Sequence, residues 1–164
     1  MSVQEIFLKP GEWHFGDASA RIRTILGSCV AFTFWHRQLL LGGMCHYMLP
    51  ERMQTPPPGY TPDGRYGDEA LLLINRAIMR RGGVMSDYEV KLFGGATMFA
   101  SDKQQETVSA RNIEMARRLV EQYRLRVAAH HLGGQVSRHL VFDIGSGDVF
   151  LKTGAALPGS AFRE

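Results

Sequence analysis

Residues 54–64 read Gln54-Thr55-Pro56-Pro57-Pro58-Gly59-Tyr60-Thr61-Pro62-Asp63-Gly64. Consecutive prolines fix φ and remove backbone donors, so neither a helix nor a central strand can pass through them. The stretch predicts a long ordered loop or a flap. Before it, the patterns are strand-like; after it, helical patterns appear as well. Both flanks are apolar, and 164 residues suit one compact unit, so residues 1–164 are expected to form a single domain.

Ahead of the prolines, Ala20–Leu26 partly alternates and reads as a strand. Cys29–Trp35 is β-branched and aromatic and reads as a second. Leu39–Leu41 and Met44–Leu49 read as a third, interrupted by Gly42-Gly43, a pair that marks a bulge or a close backbone approach. Beyond the prolines, 68–81 predicts a helix with Asp68 as cap, Gly82-Gly83 as stop and Leu71, Ile74 and Ile78 on its buried face. Tyr88–Phe93 returns to strand, and a short helical patch is expected at Ala96–Phe99. A second long helix is expected over 109–123, burying Ile113, Ala116, Val120 and Tyr123. A strand at 125–130 and a hairpin of 139–144 with 148–152 complete the order β-β-β-α-β-α-β-β-β. That order predicts an α/β fold of mixed, largely antiparallel twisted sheets with two long helices packed on one side.

The composition excludes several classes. With 45% hydrophobic and 21% charged residues the chain is ordinary globular protein, not a disordered or fibrous one. The net charge is +3, and Lys103–Arg126 alone holds six basic residues against three acidic ones. A helix face of that kind is a solvated surface or a docking surface for an acidic partner, and no dense basic stripe points to nucleic acid. No apolar run approaches the roughly 20 residues of a membrane helix, and the N-terminus lacks the pattern of a secretory signal. Two cysteines make no disulfide framework, so a cytoplasmic protein with free thiols, monomeric by default, is expected.

The segment Thr24-Ile25-Leu26-Gly27-Ser28-Cys29 and the later His46-Tyr47-Met48-Leu49-Pro50 carry the chemistry. If the second and third strands form a hairpin with Arg37-Gln38 as its central pair, Cys29 and His46 stand opposite each other on one face. Opposed Cβ atoms lie about 4.5–5.5 Å apart. A free thiol ionises near pH ~8.5, and a neighbouring imidazole activates it by taking its proton. Gly27 lets backbone come close to a substrate carbonyl, N–H groups near Ser28 and Cys29 suit an oxyanion, and Thr24 can orient His46. The bland alternative remains open, because a free cysteine is most often a small buried hydrophobe. Cys45, next to His46, faces the other way and reads as core. No metal or cofactor is expected: the six histidines form no H-x-x-x-H pair, and there is no C-x-x-C. Gly94-Gly95-Ala96 lacks a phosphate-loop lysine and reads as tight strand-to-helix packing.

Leu26-Gly27-Ser28-Cys29-Val30-Ala31 and Gly42-Gly43-Met44-Cys45-His46-Tyr47-Met48-Leu49-Pro50 resemble the two signature stretches of the CheD family, the chemoreceptor glutamine deamidases. Gly94–Phe99, Ala110-Arg111-Asn112, Gly133-Gly134, Arg138 and the Phe142–Gly147 hairpin follow in the family's order. The resemblance implies a cofactor-free cysteine hydrolase with Cys29 as nucleophile, His46 as acid and base, Thr24 as third member, and Gly27 and Ser28 against the substrate. It implies the cytoplasmic domain of chemoreceptors as substrate and a CheC-like phosphatase as a further partner. Asn112 matches a family asparagine and reads as a helix cap, and the Pro56–Gly64 loop as one wall of the substrate groove. Two other classes remain: a module that docks receptors or the phosphatase with little catalysis, and a different thiol amidase.

Overall fold

The computed structural model describes residues 2–99 and 101–155, with the side chain of Ala155 left aside. The described strands and α-helices are β1 (Gln4–Leu8), β2 (Trp13–Asp17), β3 (Ala20–Leu26), β4 (Val30–His36), β5 (Leu41–Tyr47), helix α1 (Gly67–Arg80), β6 (Glu89–Gly94), helix α2 (Lys103–Gln122), β7 (Arg126–Leu132), β8 (Val136–Asp143) and β9 (Val149–Ala155), with one 3-10 turn at Met85–Asp87. They form a four-stranded sheet ordered β1-β3-β8-β9 and a five-stranded sheet ordered β2-β5-β4-β6-β7. Both sheets mix parallel and antiparallel pairs, with antiparallel ones in the majority.

Alternation along the central strands sorts side chains between two cores. From β4 and β5, Val30, Phe32, Phe34, Cys45 and Tyr47 face the helices and pack with Leu71, Ile74, Ile78, Met115 and Leu119. The intervening Ala31 and Met44 face the four-stranded sheet and pack with Ile22, Leu26, Leu140 and Phe142. The layers are therefore sheet, sheet and helices, with both helices on one side. Central strands buried on both faces read as continuous apolar runs, which is why β4 and β5 show little polar alternation.

The expected elements appear in their expected order, with local differences. Strands β1 and β2 were not expected. Each is an edge strand with half-exposed side chains, so neither carries a strong apolar pattern. The expected patch at Ala96–Phe99 is irregular chain, not helix. Helix α1 is led by Tyr66 rather than capped by Asp68, which lies in its first turn. Helix α2 starts six residues earlier than expected, where the Asp102 carboxylate accepts from the Gln105 N–H at 3.0 Å. Its buried stripe is Ser109, Asn112, Met115, Ala116 and Leu119, while Ile113, Val120 and Tyr123 are half-buried.

The proline-rich stretch is held down by one buried carboxylate. Glu69 is 3% exposed; it accepts from Arg52 Nε and Nη2 at 2.6 and 3.0 Å and from the Asp63 N–H at 2.9 Å. The same Arg52 guanidinium lies over the rings of Tyr60 and Tyr66 at 5.5 and 4.9 Å.

Gly42 and Gly43 mark a close approach, not a bulge, since β5 pairs without a register shift on both sides. A Cβ on Gly42 would stand 2.5 Å from the Phe34 carbonyl oxygen and 3.1 Å from the Phe142 ring of the facing sheet. Backbone cannot yield there. Gly42→Ala is expected to destabilise the fold by about 1–3 kcal/mol in urea unfolding. An unchanged midpoint would contradict this account of the sheet–sheet contact.

Candidate active site

Thr24 and His46 come from different sheets and meet between them. On β3 the buried positions alternate as Ala20, Ile22, Thr24 and Leu26, so Thr24 points inward from the four-stranded sheet. On β5 His46 follows Met44 on the face turned toward that sheet. Thr24 Oγ1 lies 2.6 Å from His46 Nδ1 and donates its own proton to the Leu8 carbonyl at 2.9 Å. A hydroxyl has one proton, so the bond to Nδ1 must be donated by the imidazole. His46 therefore carries its proton on Nδ1 and presents a lone pair at Nε2. Both side chains are 1% exposed, and Nε2 has no hydrogen-bond partner among the described residues.

Cys29 lies in the crossover from β3 to β4, on the His46 side of the five-stranded sheet, and packs against the sheet–sheet core. It does not stand directly opposite His46. Strand β4 pairs Ala31 with His46 and Val30 with Tyr47, a register two residues away from the expected one. The cause is the turn: four residues, 37–40, connect the strands, with Leu40 at φ 51°, in place of a two-residue turn on Arg37-Gln38. An even displacement keeps the same face. Cys29 thus directly precedes the last rung of the β4–β5 ladder on the face that His46 shares, and His46 Nε2 makes no hydrogen bond to it. Cys45 points the other way, into the helix-side core, and both cysteines are free.

Burial sets the ionisation. It pushes the Cys29 thiol up to about 11 and holds the His46 imidazole down at about 4. At neutral pH the proton rests on sulfur and both groups are neutral. Burial thus favours a neutral thiol and an unprotonated imidazole.

The Gly27-Ser28-Cys29 turn is fixed through its carbonyls. Gly27 O accepts from the Ala96 N–H at 2.9 Å and Cys29 O from the Gly95 N–H at 2.8 Å. Ser28 O accepts from Asn112 Nδ2 at 3.1 Å. The donor segment is braced in turn by Gly133-Gly134, through Gly133 N–H to Gly94 O and Thr97 N–H to Gly134 O. Gly94-Gly95 is tight packing, as expected: at Gly94 a Cβ would strike the Cys29 carbonyl, and at Gly95 the Ile113 side chain of α2. With the carbonyls of the turn taken, what it can offer a substrate is its N–H groups.

Asn112 is not a helix cap. It lies in the middle of α2, fully buried, and also donates from Nδ2 to the Met48 carbonyl at 2.9 Å. The sequence signal was a polar residue where the helical stripe asks for an apolar one. A cleft of about 690 Å³ lies between the chain after β5 and helix α2, lined by Leu49, Pro50, Met53, Val108, Arg111 and Glu114 among others. Neither Cys29, His46 nor the Pro56–Gly64 stretch lines it. Among the described residues no group of three His, Cys, Asp or Glu side chains is placed to hold a metal ion, and no helix is long and apolar enough to cross a membrane.

The neutral, buried imidazole has a consequence for stability. Folded, His46 takes a proton only as pH falls to about 4, whereas unfolded it takes one near ~6.5. The unfolded chain binds more protons between those values, so this contribution is full above about pH 6.5 and lost as pH falls toward 4. The loss amounts to about 3 kcal/mol over that window. Urea midpoints from pH 7 to 4.5 should fall more steeply for wild type than for His46→Gln. Equal slopes would contradict the burial argument.

A family description, CheD chemotactic sensory transduction, matches residues 48–153. Relatives span the rest. The protein named Probable chemoreceptor glutamine deamidase CheD 1 from Chromobacterium violaceum is 47% identical over 91% of this chain and 77% of its own length. CheD 3 of Dechloromonas aromatica, under the same form of name, is 43% identical over 99% of this chain and 92% of its own. CheD of Pseudomonas savastanoi pv. phaseolicola is 43% identical over 93% and 86%. With a family match over more than half its length and near-full-length relatives above 40% identity, this chain belongs to the CheD family.

Proposed function

We propose that this chain is a single-domain deamidase that converts glutamine side chains of chemoreceptor cytoplasmic domains to glutamate, with Cys29 as nucleophile and His46 as general base and acid. The observation that carries this reading is the Thr24–His46 bond at 2.6 Å, which leaves Nε2 as the free, basic nitrogen on the face shared with Cys29. The relatives' printed names support the substrate.

The chemistry runs from a neutral pair. As the Cys29 sulfur attacks the glutamine side-chain carbonyl carbon, its proton passes to His46 Nε2. The carbonyl oxygen takes the negative charge, and the N–H groups of the Ser28–Cys29 turn stabilise it. His46 Nε2–H protonates the departing nitrogen, ammonia leaves, and a thioester remains. Water then attacks the thioester carbon and gives a proton to Nε2. The C–S bond breaks, glutamate is released, and the proton returns to sulfur. Thr24 holds the imidazole through both halves, and its tie to Leu8 O keeps the hydroxyl an acceptor toward Nδ1. Gly27 serves the turn by having no side chain on the approach.

Incubation of a chemoreceptor cytoplasmic fragment with wild type should convert specific glutamines to glutamate, read by mass spectrometry, and Cys29→Ala should convert none. Conversion by both would remove Cys29 from the mechanism. His46→Ala should lose at least about 100-fold in rate, the range of general acid–base catalysis. The pH profile separates a neutral pair from an ion pair. His46 must be unprotonated to act, so kcat/KM should stay level down to about pH 5 and fall below it as His46, near 4, takes a proton. An acid limb near pH ~6.5, where an exposed histidine titrates, would contradict the neutral base.

A further inference from the structure

The β4–β5 ladder stops one step short of the nucleophile. Its last rung is Val30 with Tyr47, and the next would pair Cys29 with Met48. Met48 turns its N–H away to the Arg65 carbonyl at 2.8 Å, and Leu49 does the same at 3.0 Å. The strand ends are then joined by a side chain. The Asn112 amide nitrogen donates to Ser28 O at 3.1 Å and to Met48 O at 2.9 Å, reaching across 84 and 64 residues of sequence. Its own backbone carbonyl accepts from the Tyr47 hydroxyl at 2.6 Å, which fixes this turn of α2 to the strand that carries His46.

We infer that Asn112 is a positioning residue for the reaction: its amide replaces the missing rung, holding the Cys29 turn and the His46 strand in register while the Cys29 N–H stays outside the β4–β5 ladder, on the side open to substrate. A side-chain NH2 group suits this double contact. It supplies two donors from one atom to two main-chain carbonyls at once. A carboxylate would face both oxygens with like charge, and an apolar residue would leave both unsatisfied. Asparagine in a helix interior is otherwise a poor choice, with lower helix propensity than alanine and a full desolvation cost when buried. Its presence in the buried stripe of α2 follows from this contact.

The inference rests on Cys29 being the nucleophile, and its test has one arm that needs no receptor. Asn112→Ala and Asn112→Ser are compared with Leu119→Ala, which weakens the same helix from the buried face while leaving the amide bonds in place. Assays are run well below each variant's unfolding temperature. With the amide gone, two carbonyls seek water, the turn relaxes outward, and Cys29 becomes accessible. Alkylation of Cys29 by iodoacetamide at pH 8, followed by peptide mapping, should become several-fold faster in the Asn112 variants and stay at the wild-type rate in Leu119→Ala. On a receptor fragment, kcat should fall by about 100-fold with KM within about twofold, because displacement of the reacting atoms, not substrate binding, is what is lost. Asn112→Ser, smaller and keeping one donor, should lie between wild type and Asn112→Ala, and it is the variant read if the latter does not fold. Wild-type alkylation and kcat in a folded Asn112 variant would overturn the inference. A wild-type protein that deamidates nothing would sink the proposed function instead, with the alkylation arm still deciding the role of Asn112 in holding the turn.

Discussion

The site depends on one short relay between two sheets: the Leu8 carbonyl, the Thr24 hydroxyl and the His46 imidazole. Each link fixes the next. Leu8 and Thr24 are neighbours in the β1–β3 register, so the edge strand supplies the acceptor that takes the hydroxyl proton. The hydroxyl can then only accept from the imidazole, which settles the tautomer. The tautomer leaves Nε2 basic, and burial keeps it unprotonated. None of these steps needs a third acidic residue. A carboxylate in place of Thr24 would stabilise the imidazolium, whereas a neutral hydroxyl orients the ring without adding charge to a buried site.

The two cores explain how such a polar group survives there. A buried imidazole without a bonded Nδ1 would cost more than the packing around it could offset. It stands where the sheets converge, between the Leu26–Met44–Phe142 contacts and the Gly27–Cys29 crossover, with close approach made possible by Gly42. Helix α2 reaches the same point from the opposite side of the five-stranded sheet through Asn112. The Cys29 thiol, the His46 imidazole, the Thr24 hydroxyl and the Asn112 amide thus come from four segments of the chain, and the layered fold is what brings them to one end.

Much of this was legible in the sequence, for physical reasons that can be named. The central strands and α1 carry strong periodicity, and the Gly-Ser-Cys and His-Tyr-Met-Leu-Pro stretches carry the resemblance to CheD. Thr24 sits on the buried side of an alternating strand, so its inward direction was readable too. The edge strands β1 and β2 were not, because half-exposed strands have no sharp pattern. The register of β4 with β5 failed by two residues because the turn at 37–40 holds no glycine or asparagine to signal its length. Asn112 reads as a helix cap from the sequence, yet it lies in the middle of α2. Apolar periodicity cannot place a polar residue in a helix's buried stripe, and its role becomes visible only once Ser28 and Met48 are seen side by side.

The relay makes a direct statement about one proton. Long-range 1H–15N NMR of the histidine side chains at pH 7, with His46 assigned by loss of its signals in His46→Gln, reads which ring nitrogen carries hydrogen. The account predicts a neutral His46 with its proton on Nδ1 and a bare Nε2. A ring protonated on Nε2, or an imidazolium at that pH, would contradict it, because neither can accept the thiol proton at Nε2.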